Sequence, residues 1–324
     1  MSGGSSSGGP RKSDAPERGG RGSGAGPIPV VLTGFTDEAA SGIDGQIAIC
    51  RKLGWSRIDL RAVDGVNIVN LDERGFDRVC GKIEEAGIEA VSFGSEIANW
   101  GRRIDGPFDR DLEEIERAVP RMQRLGVRMI RIMSYRTSGG ALGEDPDTER
   151  EILRRLREIV KRAEDGGVVC IHENCETWGG QSPEHTKFLL EGIDSPAFRL
   201  VFDTGNPFAT LDKRGRSPYR YQDSLDFYRE VKEWVEYVHI KDGRMDGGKA
   251  VYTFPGEGDG RIPDLLGELR RDGYTAGFSI EPHVAVVFHD PTVTAADDYR
   301  RESFVGYAHR TEELLRAAGY DPAP

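Results

Sequence analysis

Residues 168–176, VVCIHENCE, contain a short apolar run that turns abruptly polar. Val168, Val169 and Ile171 are β-branched, and the run follows a charged helical pattern that ends in glycines at 166 and 167. These features predict a buried β-strand. In α/β proteins, the polar residues that follow such a strand commonly carry the chemistry, so the stretch indicates both a fold class and a site.

The same pattern recurs downstream at residues 198–206 (FRLVFDTGN), 235–242 (VEYVHIKD) and 278–283 (FSIEPH). Consecutive predicted strands therefore end at Glu173, Asp203, His239 and Glu281. Each residue alone is more often a cap, a structural histidine or an exposed loop acid. A divalent ion of the Mn, Mg, Co or Zn kind needs several such donors within about 2.0–2.6 Å of one point. The four together predict a metal site.

Strand and helix patterns alternate along the chain, and they predict the fold. Strands are expected at 30–35, 57–60, 89–93, 127–133 and 168–173, with three more that end at 203, 239 and 281. Helices are expected at 42–53, 73–86, 111–125, 147–163, 184–190, 222–233, 264–271 and 296–317. Such alternation requires parallel strands with crossover helices, and eight units predict a single-domain α/β fold, the (β/α)₈ TIM barrel.

A doubly wound open sheet is the alternative fold. It usually has a glycine-rich phosphate loop after its first strand, whereas residues 34–42 read GFTDEAASG and lack the GxGxxG pattern.

Composition sets further limits on the 324 residues. A net charge of −11 argues against a dedicated nucleic-acid binder. Residues 1–27 are rich in Gly and Ser and predict a disordered tail, which leaves 28–324 for the barrel. The absence of a run near ~20 apolar residues or of a signal peptide predicts a cytoplasmic protein without a membrane partner. The four cysteines form no CxxC pair, and free buried thiols are expected.

Several hydrogen-bonding residues flank the four strand ends, and they fit a polyhydroxylated substrate such as a sugar. Lys241 is expected either to hold an anionic group or to form a salt bridge with Asp242, with equal weight. The candidate substrate contacts are His172, Asn206, Lys241, Arg244 and His283.

The segments IDLRAVDG (58–65), VRMIRIMSYR (127–136), IHENCE (171–176), FDTGNP (202–207), HIKDG (239–243), PGEGDG (255–260) and GYTAGFSIEPH (273–283) together carry a family resemblance. The chain resembles the sugar phosphate isomerase/epimerase superfamily, the xylose isomerase-like TIM barrels. The resemblance implies metal ligation by Glu173, Asp203, His239 and Glu281. It also implies that Glu173 and Glu281 form an acid–base pair on opposite faces of the substrate.

The resemblance further implies a mechanism. A divalent ion, Mn²⁺ before Mg²⁺, Co²⁺ or Zn²⁺, polarises a substrate carbonyl and stabilises the enediolate that forms on proton loss. One glutamate removes the proton, and the other returns it to the same carbon or to its neighbour. Epimerisation, aldose–ketose isomerisation and β-elimination share the first step, so the sequence does not choose among them.

Four functions from different classes follow from these observations. A metal-dependent isomerase or epimerase of a sugar or keto-sugar comes first. A lyase is the alternative, either a polyol dehydratase or the catalytic subunit of an enzyme that cleaves C-glycosides of 3-keto sugars. An endonuclease for abasic DNA fits poorly, because the chain has only six histidines and is acidic. A non-catalytic sugar-binding barrel is not expected to keep all four ligands. A homo-oligomer or a partner subunit is also expected to be compatible with this fold.

Overall fold

Eight parallel strands form the inner layer of the computed structural model, which describes residues 26–287 and 290–323. The strands pair in the order β1-β8-β7-β6-β5-β4-β3-β2, and a parallel bridge between Phe35 and Asp59 links the two ends of this sheet. The predicted TIM barrel is therefore confirmed. The strands are β1 Ile28–Gly34, β2 Arg57–Leu60, β3 Glu89–Gly94, β4 Met129–Ile132, β5 Val169–Glu173, β6 Phe198–Asp203, β7 Val235–Ile240 and β8 Phe278–Ile280.

One further strand extends the sheet outside the ring. This strand, β9 (Tyr320–Ala323), pairs in parallel with residues 28–31 of β1, whereas β8 pairs with residues 32–34. The predicted tail, residues 1–27, lies outside the described residues except for its last two positions. Its separation from a barrel spanning 28–324 therefore stays a prediction.

Helices form the outer layer, and local sequence signals fix several of their ends. Asp72, Asp145 and Ser182 each accept a hydrogen bond from a backbone N–H in the first turn of the helix that follows. Left-handed glycines end α1 to α3. The helices are α1 Ile43–Leu53, α2 Glu73–Ala86, α3 Asp109–Leu125, α4 Pro146–Asp165, α5 Pro183–Ile193, α6 Asn206–Ala209, α7 Ser224–Val231, α8 Ile262–Arg271 and α9 Asp297–Ala317.

The main apolar core lies between the strands and the helices, and a smaller cluster lies inside the barrel. Ile171, Val201 and Tyr237 form this inner cluster. Above them is the buried carboxyl group of Asp59, which accepts hydrogen bonds from Ser92 Oγ at 2.6 Å and from Tyr237 Oη at 3.0 Å. The interior therefore changes from apolar to polar towards the carboxyl ends of the strands.

Short hairpins interrupt the regular alternation. They pair Ala62–Val63 with Val66–Asn67, Gly243–Asp246 with Lys249–Tyr252, and Val286–Val287 with Asp290–Thr294. Gly247 and Gly248 both have positive φ, which the tight turn of the second hairpin requires. Single 3₁₀ turns lie at Thr36–Glu38, Trp178–Gly180 and Lys232–Trp234. Among the described residues, no helix combines the length and the apolar character needed to cross a bilayer.

Candidate metal centre and substrate cavity

Strand alternation turns the predicted ligands inwards. Side chains two residues apart on a strand point to the same face. Because Ile171, Val201 and Tyr237 form the inner cluster, the residues two positions later also face the barrel interior. Those residues are Glu173, Asp203 and His239, and Glu281 follows the end of β8 directly.

The four side chains meet at one point in the barrel mouth. One ligand atom from each of Glu173, Asp203, His239 and Glu281 lies within 4.8 Å of all the others, and all four residues are buried. His239 Nδ1 is 3.9 Å from Glu173 Oε1 and 3.8 Å from Glu281 Oε2. Donor atoms that share one ion are separated by at most twice the ligand distance, roughly 4–5 Å. The spacing therefore suits a single coordination sphere.

Unsatisfied polar atoms also fit a bound cation. Both ring nitrogens of His239 are buried without a hydrogen-bond partner, and Glu173 Oε2 and Asp203 Oδ2 make ion-pair contacts with Arg131 and Lys241 but no hydrogen bond of good geometry. Buried polar atoms of this kind are uncommon, and an ion is one of the explanations for them. The other oxygen of Asp203 accepts the backbone N–H groups of Gly205 and Asn206 at 2.8 and 2.7 Å. Asp203 thus caps α6 with one oxygen and presents the other to the centre.

Three buried cations surround the same carboxylates. Arg61 Nη1 donates to Glu281 Oε1 at 2.6 Å, and Arg131 Nη1 lies 3.3 Å from Glu173 Oε2. Lys241 Nζ lies 2.9 Å from Asp203 Oδ2 and 3.1 Å from Glu281 Oε2. No sequence pattern had indicated a role for Arg61 or Arg131.

Arg61 also binds two acids that precede α1. Its guanidinium donates to both carboxylate oxygens of Asp37 and to Glu38 Oε1. Burial raises the pKa of Asp37, and this ion pair opposes the rise. The centre therefore gathers five carboxylates around Arg61, Arg131 and Lys241, so its acidic side chains outnumber its lysine and arginine side chains by two. The carboxylates are Asp37, Glu38, Glu173, Asp203 and Glu281.

The pKa values of the three candidate ligand carboxylates are shifted in opposite directions. Burial by itself raises the pKa of Glu173, but the Arg131 charge and the neighbouring His239 lower it to about 2. For Glu281 the same burial is outweighed by Lys241, His283 and Arg61, so its pKa lies well below the usual range. Burial raises the pKa of Asp203 to about 6, although Lys241 opposes the rise. Both glutamates are therefore ionised at neutral pH.

The structure brings three of the five candidate substrate contacts to the centre. Asn206 Nδ2 donates to Glu173 Oε1 at 3.1 Å, and Lys241 contacts the ligand carboxylates. His283 Nδ1 lies 2.9 Å from Glu38 Oε1, and its Nε2 lies 4.0 Å from Glu281 Oε1. These three side chains also line the cavity above the centre.

His172 and Arg244 do not line this cavity. His172 precedes Glu173 on the strand and therefore points to the opposite face, where its Nε2 lies 3.1 Å from Ser134 Oγ. Burial lowers its pKa to about 4. Arg244 lies exposed on the hairpin, and the next residue, Met245, faces the cavity instead. The face of the strand or hairpin on which each residue lies therefore decides whether it lines the cavity.

The cavity opens at the carboxyl ends of the strands and has a volume of about 250 Å³. Its inner part contains the metal-ligand carboxylates and their cations. Its outer part includes Cys175, and burial raises the pKa of this thiol to about 12, so it is not a thiolate nucleophile. The lining residues are Trp100, Arg131, Glu173, Cys175, Glu176, Asn206, Ala209, Thr210, Lys241, Met245, Ala250, Tyr252, Glu281 and His283.

Asp242 organises the glycine-rich loop beside the cavity and does not pair with Lys241. Its Oδ1 accepts the N–H groups of Gly243 and Gly260 at 2.8 and 2.9 Å. Its Oδ2 accepts those of Gly256 and Gly258 at 2.7 and 3.1 Å. The carboxylate therefore fixes PGEGDG (255–260) against the end of β7.

Known proteins resemble this chain in sequence. The 2-epi-5-epi-valiolone 7-phosphate 2-epimerase of Actinoplanes sp. is 29% identical over 187 residues, which are 58% of this chain and 62% of that enzyme. The chain thus spans less than two thirds of this relative's length. Inosose dehydratase of Mesomycoplasma hyopneumoniae is 20% identical in an alignment 307 residues long that covers 81% of this chain and 93% of that enzyme. The relatives therefore include both an epimerase and a dehydratase.

Solved structures share the fold. The IOLI protein with a bound zinc atom superposes with a TM-score of 0.67 at 15% identity, covering 90% of this chain and 99% of that chain. A xylose isomerase-like TIM barrel protein from Mycobacterium smegmatis in complex with magnesium gives 0.61 at 16% identity, covering 90% and 97%. A family model described as the xylose isomerase-like TIM barrel matches residues 47–302, well over half of the sequence. The protein belongs to the xylose isomerase-like TIM barrel family.

Proposed function

We propose that the protein is a divalent-metal-dependent isomerase or epimerase that acts on a sugar or keto-sugar through an enediolate. Glu173, Asp203, His239 and Glu281 would hold the ion, and Glu173 and Glu281 would move the proton. The oxygen and imidazole donors suit Mn²⁺, Mg²⁺, Co²⁺ or Zn²⁺. When bound, the ion supplies a Lewis acid for the substrate carbonyl.

One observation carries this proposal: two ionised glutamates approach one histidine from different strands. Glu173 ends β5 and Glu281 follows β8, and both carboxylates lie within 4 Å of His239 Nδ1. Because β5 and β8 are three strands apart in the eight-strand ring, we infer that these two groups reach a substrate from different sides. This is what removal of a proton from one face and its return from the other require.

Neighbouring side chains position each glutamate for this work. Asn206 and Arg131 hold the two oxygens of Glu173, while Arg61 and Lys241 hold those of Glu281. These groups keep both carboxylates ionised, so each can accept a proton, while their positive charge lowers its basicity. Arg61 and Lys241 on Glu281 are therefore positioning residues in this proposal, as are Asn206 and Arg131 on Glu173.

The experiment follows solvent deuterium into a panel of keto-sugars incubated with the metal-loaded protein. Glu173→Gln and Glu281→Gln are each expected to reduce exchange by at least about 100-fold, the scale of one acid–base group. Glu96→Gln is the matched control, because Glu96 is a half-exposed acid that lies outside the cavity. Exchange that survives both cavity substitutions would contradict the assignment.

A lyase is the second candidate function. The observation that favours it is the match to inosose dehydratase, which extends over 93% of that enzyme. A lyase would use the same proton abstraction and then expel a β-hydroxyl group as water, which leaves an unsaturated ketone. Ultraviolet absorbance of that ketone, recorded alongside deuterium incorporation, distinguishes elimination from epimerisation.

A further inference from the structure

We propose that the site takes an uncharged polyhydroxylated ketone and discriminates against phosphate esters of the same ketone. This inference rests on the proposed function and names its substrate class. Three features of the cavity carry it: the charge balance of the inner part, the neutral or acidic outer lining, and the occupied amide groups of the glycine-rich loop.

The inner part has no surplus positive charge for an anion. Arg131 and Lys241 line the cavity, Arg61 does not, and all three contact carboxylates, as Lys241 does with Asp203 and Glu281. Five carboxylates surround these three side chains, so none of the three is left over to bind an anion. A loaded centre therefore attracts a neutral carbonyl and its hydroxyl groups without a net charge that favours a dianion.

The outer lining adds no positive charge. Among the described residues, every Lys or Arg that lines the cavity belongs to the inner part, namely Arg131 and Lys241. The outer wall is built from Trp100, Met245, Tyr252 and smaller neutral residues, and its charged member is the exposed Glu176. A phosphate on the part of a substrate remote from the reacting carbon would face this carboxylate.

The loop that follows β7 does not offer free amide groups. Phosphate sites in TIM barrels are often formed by backbone N–H groups of the loops after the seventh and eighth strands. Here the N–H groups of Gly256, Gly258 and Gly260 already donate to the Asp242 carboxylate at 2.7–3.1 Å. The Asp242 carboxylate thus already occupies the loop amides that a phosphate would need.

The size of the cavity agrees with a small substrate. Its volume of about 250 Å³ lies just below the range of roughly 300–1,000 Å³ for pockets that bury drug-sized ligands. Tyr252 packs edge-on against His283 and Phe208, with ring centroids 5.0 and 6.1 Å apart, and so fixes the outer wall. A single monosaccharide or cyclitol ring suits this space.

The experiment compares neutral ketones with their phosphate esters. Isothermal titration of the full-length, Mn²⁺-loaded protein is performed with D-fructose, D-tagatose and D-ribulose, each beside its terminal phosphate ester. Every neutral member that binds is expected to bind at least ~10-fold more tightly than its ester, because like charges disfavour association. An ester that binds as tightly as its parent ketone, or more tightly, overturns this inference and leaves the metal-dependent chemistry standing.

A charge reversal tests the outer wall directly. Glu176→Lys is expected to shift the ester-to-ketone affinity ratio by at least ~10-fold towards the ester. Glu236→Lys is the matched control, because Glu236 is also acidic and exposed but is the second residue of β7, at the opposite end of the barrel. An unchanged ratio in Glu176→Lys overturns the inference. Absence of binding to every ketone and every ester, together with absence of deuterium exchange, overturns the proposed function itself.

Discussion

The substitution Asp242→Asn tests whether one carboxylate holds the loop beside the cavity. Asp242 is buried and accepts four backbone N–H groups, two on each oxygen. An asparagine of the same shape keeps only one acceptor oxygen. Its amide group then faces two glycine N–H groups as a donor, whichever way the side chain is turned.

The expected loss follows from those contacts. A hydrogen bond to a charged acceptor contributes about 1.5–3 kcal/mol, so two lost bonds lower the free energy of unfolding by roughly 3–6 kcal/mol. Chemical denaturation measures this change, and amide hydrogen exchange at Gly243, Gly256, Gly258 and Gly260 reports where it occurs. We expect the two glycines that lose their acceptor oxygen to exchange faster, while exchange in the rest of the barrel is unchanged.

Asp246→Asn is the control for the loss of one acidic charge between β7 and α8, because Asp246 is exposed on the hairpin that follows β7. We expect it to change the free energy of unfolding by no more than about 0.5 kcal/mol. The reasoning is refuted if Asp242→Asn costs less than about 1 kcal/mol and leaves exchange at the loop glycines unchanged.

Three further predictions concern the buried charges. Mn²⁺ at about 100 times its dissociation constant should raise the free energy of unfolding by ≈ 2.7 kcal/mol, as measured by chemical denaturation with and without a chelator. Asp203→Ala should abolish this stabilisation. Arg61→Met leaves three buried carboxylates without a cation they share, so the free energy of unfolding should fall by about 3–5 kcal/mol, whereas Arg57→Met at the exposed end of β2 should have little effect. Burial lowers the pKa of His185 to about 4, below its unfolded value near 6.5, so the unfolded state binds its proton first as the pH falls. Stability should therefore be lost between about pH 6.5 and 4 and be constant for this group above that range, and His185→Gln should reduce the loss measured by denaturation across pH.

Most of the barrel was predictable because its signals are local. The predicted strand 168–173 is observed as Val169–Glu173, and the predicted helix 73–86 as Glu73–Ala86. Apolar periodicity, helix caps and terminal glycines all act over a few residues. The elements that were not predicted include the three short hairpins, β9 and α6, and the last two were missed for the opposite reason. The strand β9 depends on pairing with β1 across the whole chain, and the short helix α6 depends on the cap that Asp203 provides.

The sequence did not indicate which of the polar residues at a strand end face the site. Polar residues that follow a buried strand were all expected near the rim. Strand alternation then separates neighbours, so Glu173 faces the centre while His172 packs beneath a helix against Ser134 and Phe198. A residue two positions after an inward-facing apolar residue such as Ile171 also faces inward, which distinguishes Glu173 from His172. The inward face is known only once the strand is placed in the barrel.

The same count of two residues would have found Arg131, which also faces the barrel interior. Met129 packs on the inner apolar cluster, so Arg131 faces the barrel interior two residues later. An arginine in the middle of an apolar strand is costly to bury without a partner, and its partners here are Glu173 and Glu281. Five carboxylates gathered around three such cations repel one another, which is unfavourable in a buried site. The proposed divalent ion would reduce that repulsion and an uncharged ketone would not add to it, so the proposed metal and the proposed substrate class both follow from the same surplus of carboxylates.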